Sequence, residues 1–129
     1  MTALEMIRQA MLETGIIAQN ESIAATDAND ALKILKGMLA QWELEGIAIG
    51  QADLELTTVL PWPENHDRPV MTNFAVRLCP SYGAEPSGIT LQDAADGYRV
   101  LQGAYGEPHD MDVDPYLWRR RFPSGRWIA

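Results

Sequence analysis

The sequence predicts a mainly α protein: a four-helix body with a short β-like insertion between helices 2 and 3, followed by an extended C-terminal arm. Three observations carry that expectation. Four apolar stripes recur at helical spacing, each bounded by capping or stop residues. Between Ile47 and Leu60 the period changes to alternation. Beyond Gly106 neither period is clear, and the final stretch "YLWRRRFPSGRWIA" is basic where the rest is acidic. Residues 1–106 therefore read as a helical body and 107–129 as an arm.

The first helix opens on Thr2-Ala3-Leu4-Glu5, a capping box in which Thr2 and Glu5 satisfy each other's free amides. Leu4, Ile7 and Met11 follow at helical spacing, and Gly15 is the stop. Residues 16–25 read as a connector. Thr26 or Asp27 is expected to cap the second helix, whose stripe is Ala28, Ala31, Leu32, Leu35, Met38, Leu39 and Trp42, with Gly46 ending it. Ile47 and Ile49, then Leu54 and Leu56, alternate with small or acidic residues before Thr57-Thr58-Val59, which fits two short strands, as a hairpin or as a loop leaving the body. "PWPENHDRP" holds three prolines and is a loop, since no helix interior or central strand accepts them. The third helix is expected from about Arg68 to Cys79, with Val70, Met71, Phe74, Ala75 and Leu78 on one face and Pro80 and Gly83 closing it. Thr90 is expected to cap the fourth, which carries Leu91, Ala94, Ala95, Tyr98, Leu101 and Tyr105 before Gly106 and Pro108.

A chain of 129 residues suffices for one domain with one modest core. No stretch approaches the ~20 apolar residues of a membrane span, and the N-terminus shows no basic region followed by an apolar run. Cys79 is the single cysteine; it lies on an apolar stripe, reads as a buried structural thiol, and fits a reducing compartment. The net charge of −8 conceals a split. Residues 1–115 hold six basic and eighteen acidic side chains, whereas 116–129 hold four arginines and no acid. Such a body argues against conventional duplex DNA binding, which depends on cations neutralising phosphates. The arm suits an acidic protein surface, a neighbouring copy's included; the alternatives are a tail whose tryptophans pack back on the body, or nucleic acid.

Catalytic and metal motifs are weak. Asp110, Asp112 and Asp114 have the spacing of a calcium loop, but Pro115 stands where the turn needs Gly and Arg121 where a bidentate Glu is required. His66 and His109 share no ligand spacing and read as loop histidines. Glu43 and Glu45 could suggest a glycosidase pair, yet at i and i+2 on a helix they diverge. No catalytic residue, metal or cofactor is expected.

"DALKILKGMLAQWELEGIAIG" (Asp30 to Gly50) resembles a signature of the head–tail adaptor proteins of short-tailed bacteriophages: a Leu/Met-striped helix, a Trp, a Gly, then an aliphatic strand. "NFAVRLCPSYGAEPS" (Asn73 to Ser87) is similar to that family's second segment, a helix ending in a Leu-x-Pro-x-Tyr-Gly turn. The motif positions are Leu35, Met38, Trp42 and Gly46, then Leu78, Pro80, Tyr82 and Gly83. The resemblance runs from about Leu4 to Tyr105 and does not cover the arm residue by residue.

That resemblance implies a tail accessory factor, also described as a packaged-DNA stabilisation or head-completion protein. Such proteins bind beneath the dodecameric portal protein after DNA packaging and form a ring, commonly of twelve copies, that continues the DNA channel. The ring seals the filled head and provides the docking surface for the tail tube or nozzle protein. Packaged DNA passes through without sequence-specific binding. The implied location is the virion neck, reached from the host cytoplasm during assembly. The arm would then be a docking peptide for the portal or a neighbouring copy, with Trp118, Phe122 and Trp127 as anchors and Arg119, Arg120, Arg121 and Arg126 contacting carboxylates. Peptidoglycan hydrolysis has been attributed to some adaptors, which leaves a muramidase-like virion protein as an alternative.

Overall fold

Helix α1, Ala3–Glu13, begins at the capping box expected of it: the Glu5 amide donates to the Thr2 hydroxyl and the Thr2 amide donates to the Glu5 carboxylate. The computed structural model describes residues 1–49 and 53–106. Within them α1 is followed by α2, Ala25–Leu44; a 3-10 turn, Glu64–His66; α3, Asp67–Tyr82; and α4, Gly88–Tyr105. The fold is mainly α with four helices, as the stripes predict, and the described residues contain no strand.

Three helices end on the glycines expected to stop them. Gly15, Gly46 and Gly83 all have positive φ, which a Cβ would strain. At Gly46 the turn is a Schellman motif: Gly46 N–H donates to the Glu43 carbonyl and Ile47 N–H to that of Trp42. It drops Ile47 straight into the core. Gly15 repeats the pattern with Leu12 and Met11 and leads into Ile16.

The insertion between helices 2 and 3 is present, but the two short strands expected in it do not form among the described residues. Residues 47–49 and 53–60 form an irregular strap, and the only ladder-type pairing described is an isolated bridge between Thr2 and Val59. Alternation did mark burial, since Ile47, Ile49 and Leu54 lie in the core and the partly buried Leu56 packs against it. The backbone, however, bonds to a helix end rather than to another strand. The Thr58 and Leu56 carbonyls accept from the Ala3 and Leu4 amides, and Leu60 N–H donates to the Met1 carbonyl. With Thr2 and Glu5 already reciprocally bonded, all four free amides at the start of α1 are satisfied.

Helix ends and faces also differ from expectation. Ala24, not Thr26 or Asp27, is the N-cap of α2, and it makes no side-chain cap bond. Ser87, not Thr90, caps α4: its hydroxyl accepts from the Thr90 amide, while Thr90 itself is buried. In α1 the buried face is Ala3, Met6, Ile7, Ala10 and Met11, and Leu4 turns outward. In α4 the buried set is Thr90, Ala94, Gly97 and Leu101, leaving Leu91 and Ala95 exposed. α3 runs through Pro80 to Tyr82, because a missing N–H near the last turn removes only one bond before Gly83 ends the helix.

α3 is the central element, packed against α1, α2 and α4. Its face of Val70, Met71, Phe74, Ala75 and Leu78 is buried as the stripe predicts. Trp42 of α2 and Phe74 of α3 are the largest fully buried side chains. Cys79 is buried too, its thiol donating to the Ala75 carbonyl at 3.3 Å, and desolvation pushes its pKa up.

Candidate interaction surface

The motif residues of the two resembling segments are scaffold. Leu35, Met38, Trp42 and Leu78 are core, Gly46 and Gly83 are helix stops, and Pro80 sits exposed in the last turn of α3. The Tyr82 hydroxyl crosses to α2 and donates to the Asp27 carbonyl at 3.2 Å. Arg77 of the second segment donates to the Gln41 side chain of the first at 3.0 Å. Gln41 in turn donates to Glu45, one turn on, and Glu45 accepts from the Tyr98 hydroxyl of α4. The result is a polar chain, Arg77–Gln41–Glu45–Tyr98, across three helices at the level of the buried Trp42, whose ring lies tilted 5.7 Å from that of Tyr98. The hydrogen bond to Glu45 raises the Tyr98 pKa, helped by desolvation and by the Glu45 charge.

This arrangement occupies Glu45 in structure. Glu43 is exposed. A second cross-helix junction is built on Arg68, which donates to Asp93 of α4 at 3.1 Å and to Glu13 of α1 at 3.3 Å. Desolvation opposes the Arg68 charge, but the hydrogen bonds to Asp93 and Glu13 outweigh it and raise the pKa.

His66 is not the solvated loop residue that the sequence suggests. It is half-buried, with Nδ1 2.6 Å from Asn65 Oδ1 and Nε2 2.7 Å from the Tyr105 hydroxyl, and its ring meets Tyr105 edge-on. This pair fastens the last turn of α4 to the 3-10 turn. Neither Tyr105 nor His66 belongs to a local motif, so no sequence signal marks their meeting.

Beside this junction lies a groove between the start of α1, the strap and the 3-10 turn. Val59, Leu60 and Trp62 contribute apolar surface; Glu5, Glu64 and Asp67 contribute carboxylates. The Trp62 indole N–H donates to Asp67 at 3.0 Å, which fixes one wall. Val59 is 67% exposed, an apolar side chain left standing at the groove's edge. Among the described residues no cation pairs with Glu5, Glu64 or Asp67.

The arm residues Trp118, Arg119, Arg120, Arg121, Phe122, Arg126 and Trp127 lie outside the described residues, as do His109 and the Asp110, Asp112 and Asp114 run. Among the described residues no three His, Cys, Asp or Glu side chains gather as ion ligands, and no helix is long and apolar enough to cross a membrane. No family model matches the chain, and no curated protein matches it.

Proposed function

We propose that the protein is a structural component of a phage neck: it binds beneath the portal protein after DNA packaging, continues the DNA channel as a ring, and offers the surface on which the tail docks. The observation that carries this reading is the likeness of Asp30–Gly50 and Asn73–Ser87 to the two recurring segments of head–tail adaptors. Their position in a helical body supports it: the helical parts of the segments belong to α2 and α3, which pack together, and Arg77 of the second bonds Gln41 of the first.

Charge supports it as well. Residues 1–106 hold fourteen acids and six basic residues. An acidic wall repels DNA phosphates, so a genome slides past without sticking. The C-terminal segment, with four arginines and two tryptophans, is the docking element for the portal or for a neighbouring copy. The reading is non-enzymatic and needs no cofactor.

The test is sedimentation of the purified protein, alone and mixed with the portal ring of its phage. The expected result is a ~14 kDa species that joins the portal at about one copy per portal subunit. Removal of residues 116–129 is expected to abolish that association while leaving the helical circular dichroism unchanged. A protein that ignores the portal, or binds equally well without those residues, contradicts the proposal.

A further inference from the structure

We infer that the groove between the start of α1, the strap and the 3-10 turn is a docking site for the chain's own Arg/Trp segment, residues 116–129, in the unassembled protein. The inference does not depend on the portal reading.

Three features of the molecule point to this occupant. The first is chemistry. The groove pairs an apolar floor and edge (Leu60, Trp62, Val59) with three carboxylates (Glu5, Glu64, Asp67). "YLWRRRFPSGRW" offers the complement, aromatic side chains interleaved with guanidinium groups that bond carboxylates in a fork geometry. The second is unused capacity. No cation among the described residues lies within ion-pair distance of these three carboxylates, and Val59 stands 67% exposed.

The third is tethering. The Tyr105 hydroxyl lies 2.7 Å from His66 Nε2, so the described chain ends beside the 3-10 turn that lines the groove. Residues 107–115 then lead to the arginines, and nine residues span up to ~30 Å when extended. A segment held this close has an effective concentration on the order of millimolar, so even weak docking is well populated. Docked there, the arm's arginines and tryptophans are withheld from other acidic surfaces until a better one competes.

The experiment compares backbone amide spectra of the full chain with those of a variant carrying Arg119→Ser, Arg120→Ser, Arg121→Ser and Arg126→Ser. Shift differences are expected at Glu5 and across residues 55–67, at positions independent of protein concentration. Differences elsewhere in the body, or none, overturn the inference. Differences that grow with concentration assign the groove to a second copy's arm and overturn it equally.

A second measurement follows tryptic cleavage after Arg119, Arg120 and Arg121. Glu64 and Val59 are exposed, so Glu64→Lys with Val59→Ser leaves the fold intact and is expected to speed cleavage roughly tenfold. The charge-matched control Glu85→Lys, in the α3–α4 loop, is expected to leave it unchanged. An unchanged rate in the groove variant shows that the arginines are held elsewhere, for instance by Asp110, Asp112 and Asp114. Equal acceleration in the control reduces the effect to net charge, and either result defeats the proposal.

Discussion

Gly97 of α4 crosses α3 directly over Pro69: a Cβ placed on Gly97 would stand 2.9 Å from the Pro69 Cα. Real Cβ atoms do not approach backbone that closely, so the crossing exists because residue 97 has no side chain. The same proximity lets the Asn73 amide nitrogen donate to both the Pro69 and the Ala94 carbonyls, at 2.8 and 2.9 Å.

Gly97→Ala is therefore expected to lower stability. Overpacking costs about 1–3 kcal/mol and outweighs the ~1 kcal/mol that alanine gains in a helix interior. Gly37→Ala and Gly103→Ala meet open space and are expected to stabilise by about 0.5–1 kcal/mol. Urea midpoints of the three variants check this contrast. A Gly97→Ala protein as stable as Gly37→Ala would mean that the helices are farther apart.

The strap should behave as core despite lacking regular structure. Leu54 is 1% exposed, and Leu54→Ala is expected to cost about 2–5 kcal/mol. Val59→Ala, at the exposed end of the same strap, is expected to stay within about 0.5 kcal/mol of the parent. Equal losses at the two positions, measured by denaturant unfolding, would contradict the burial described.

Capping gives a sharper comparison. Thr2→Ala removes a side-chain acceptor from the start of α1 and is expected to cost about 1 kcal/mol. Thr26→Ala lies inside α2, not at its cap, and is expected to be neutral or slightly stabilising because alanine has the better helix propensity. Thermal midpoints decide the matter; a large loss at Thr26 would shift the cap back to where the sequence suggested it.

Alkaline pH should act through Tyr98. Its hydrogen bond to Glu45 raises its pKa in the folded state above the ordinary value of 10.0. The unfolded chain therefore loses this proton first, and the stabilisation is complete below pH ~10 and lost as pH rises through the folded pKa. Tyr98→Phe is expected to flatten the fall in stability above pH ~10 relative to the parent. Chemical denaturation across that range, showing identical slopes for parent and variant, would remove the Tyr98–Glu45 bond from the account.

Cys79 should be unreactive while the protein is folded. It is 1% exposed and desolvation suppresses its thiolate. A coloured thiol reagent at pH 8 is expected to modify it only at the rate of unfolding, with full reaction in denaturant. Rapid modification of the native protein would show an opening between α3 and its neighbours.

Local patterns made several features legible in the sequence. The stripes of α2 and α3 are wide and regular, and their residues from Ala28 to Trp42 and from Val70 to Leu78 went inside or against the core. Gly15, Gly46 and Gly83 stop helices because a positive φ disfavours a side chain whatever surrounds it. Thr2 and Glu5 form their box within four residues. The buried thiol of Cys79 followed from its place on a stripe.

Tertiary structure alone decided the rest. Ile47 to Leu60 alternates as a strand would, but the Leu56 and Thr58 carbonyls bond the free amides of α1, and among the described residues no second strand pairs with them. Leu4 lies outside because the strap and α3 select the Ala3–Ile7–Met11 face, which periodicity alone places only to within a residue. Ser87 and Thr90 carry the same capping chemistry, and packing chose Ser87 by burying Thr90. The groove beside His66 and the chain linking Glu45 to Tyr98 join residues 39 and 53 positions apart. Sequence spacing carries helical faces because they repeat every turn. It carries no record of which distant turns meet, and that is set only when the helices pack.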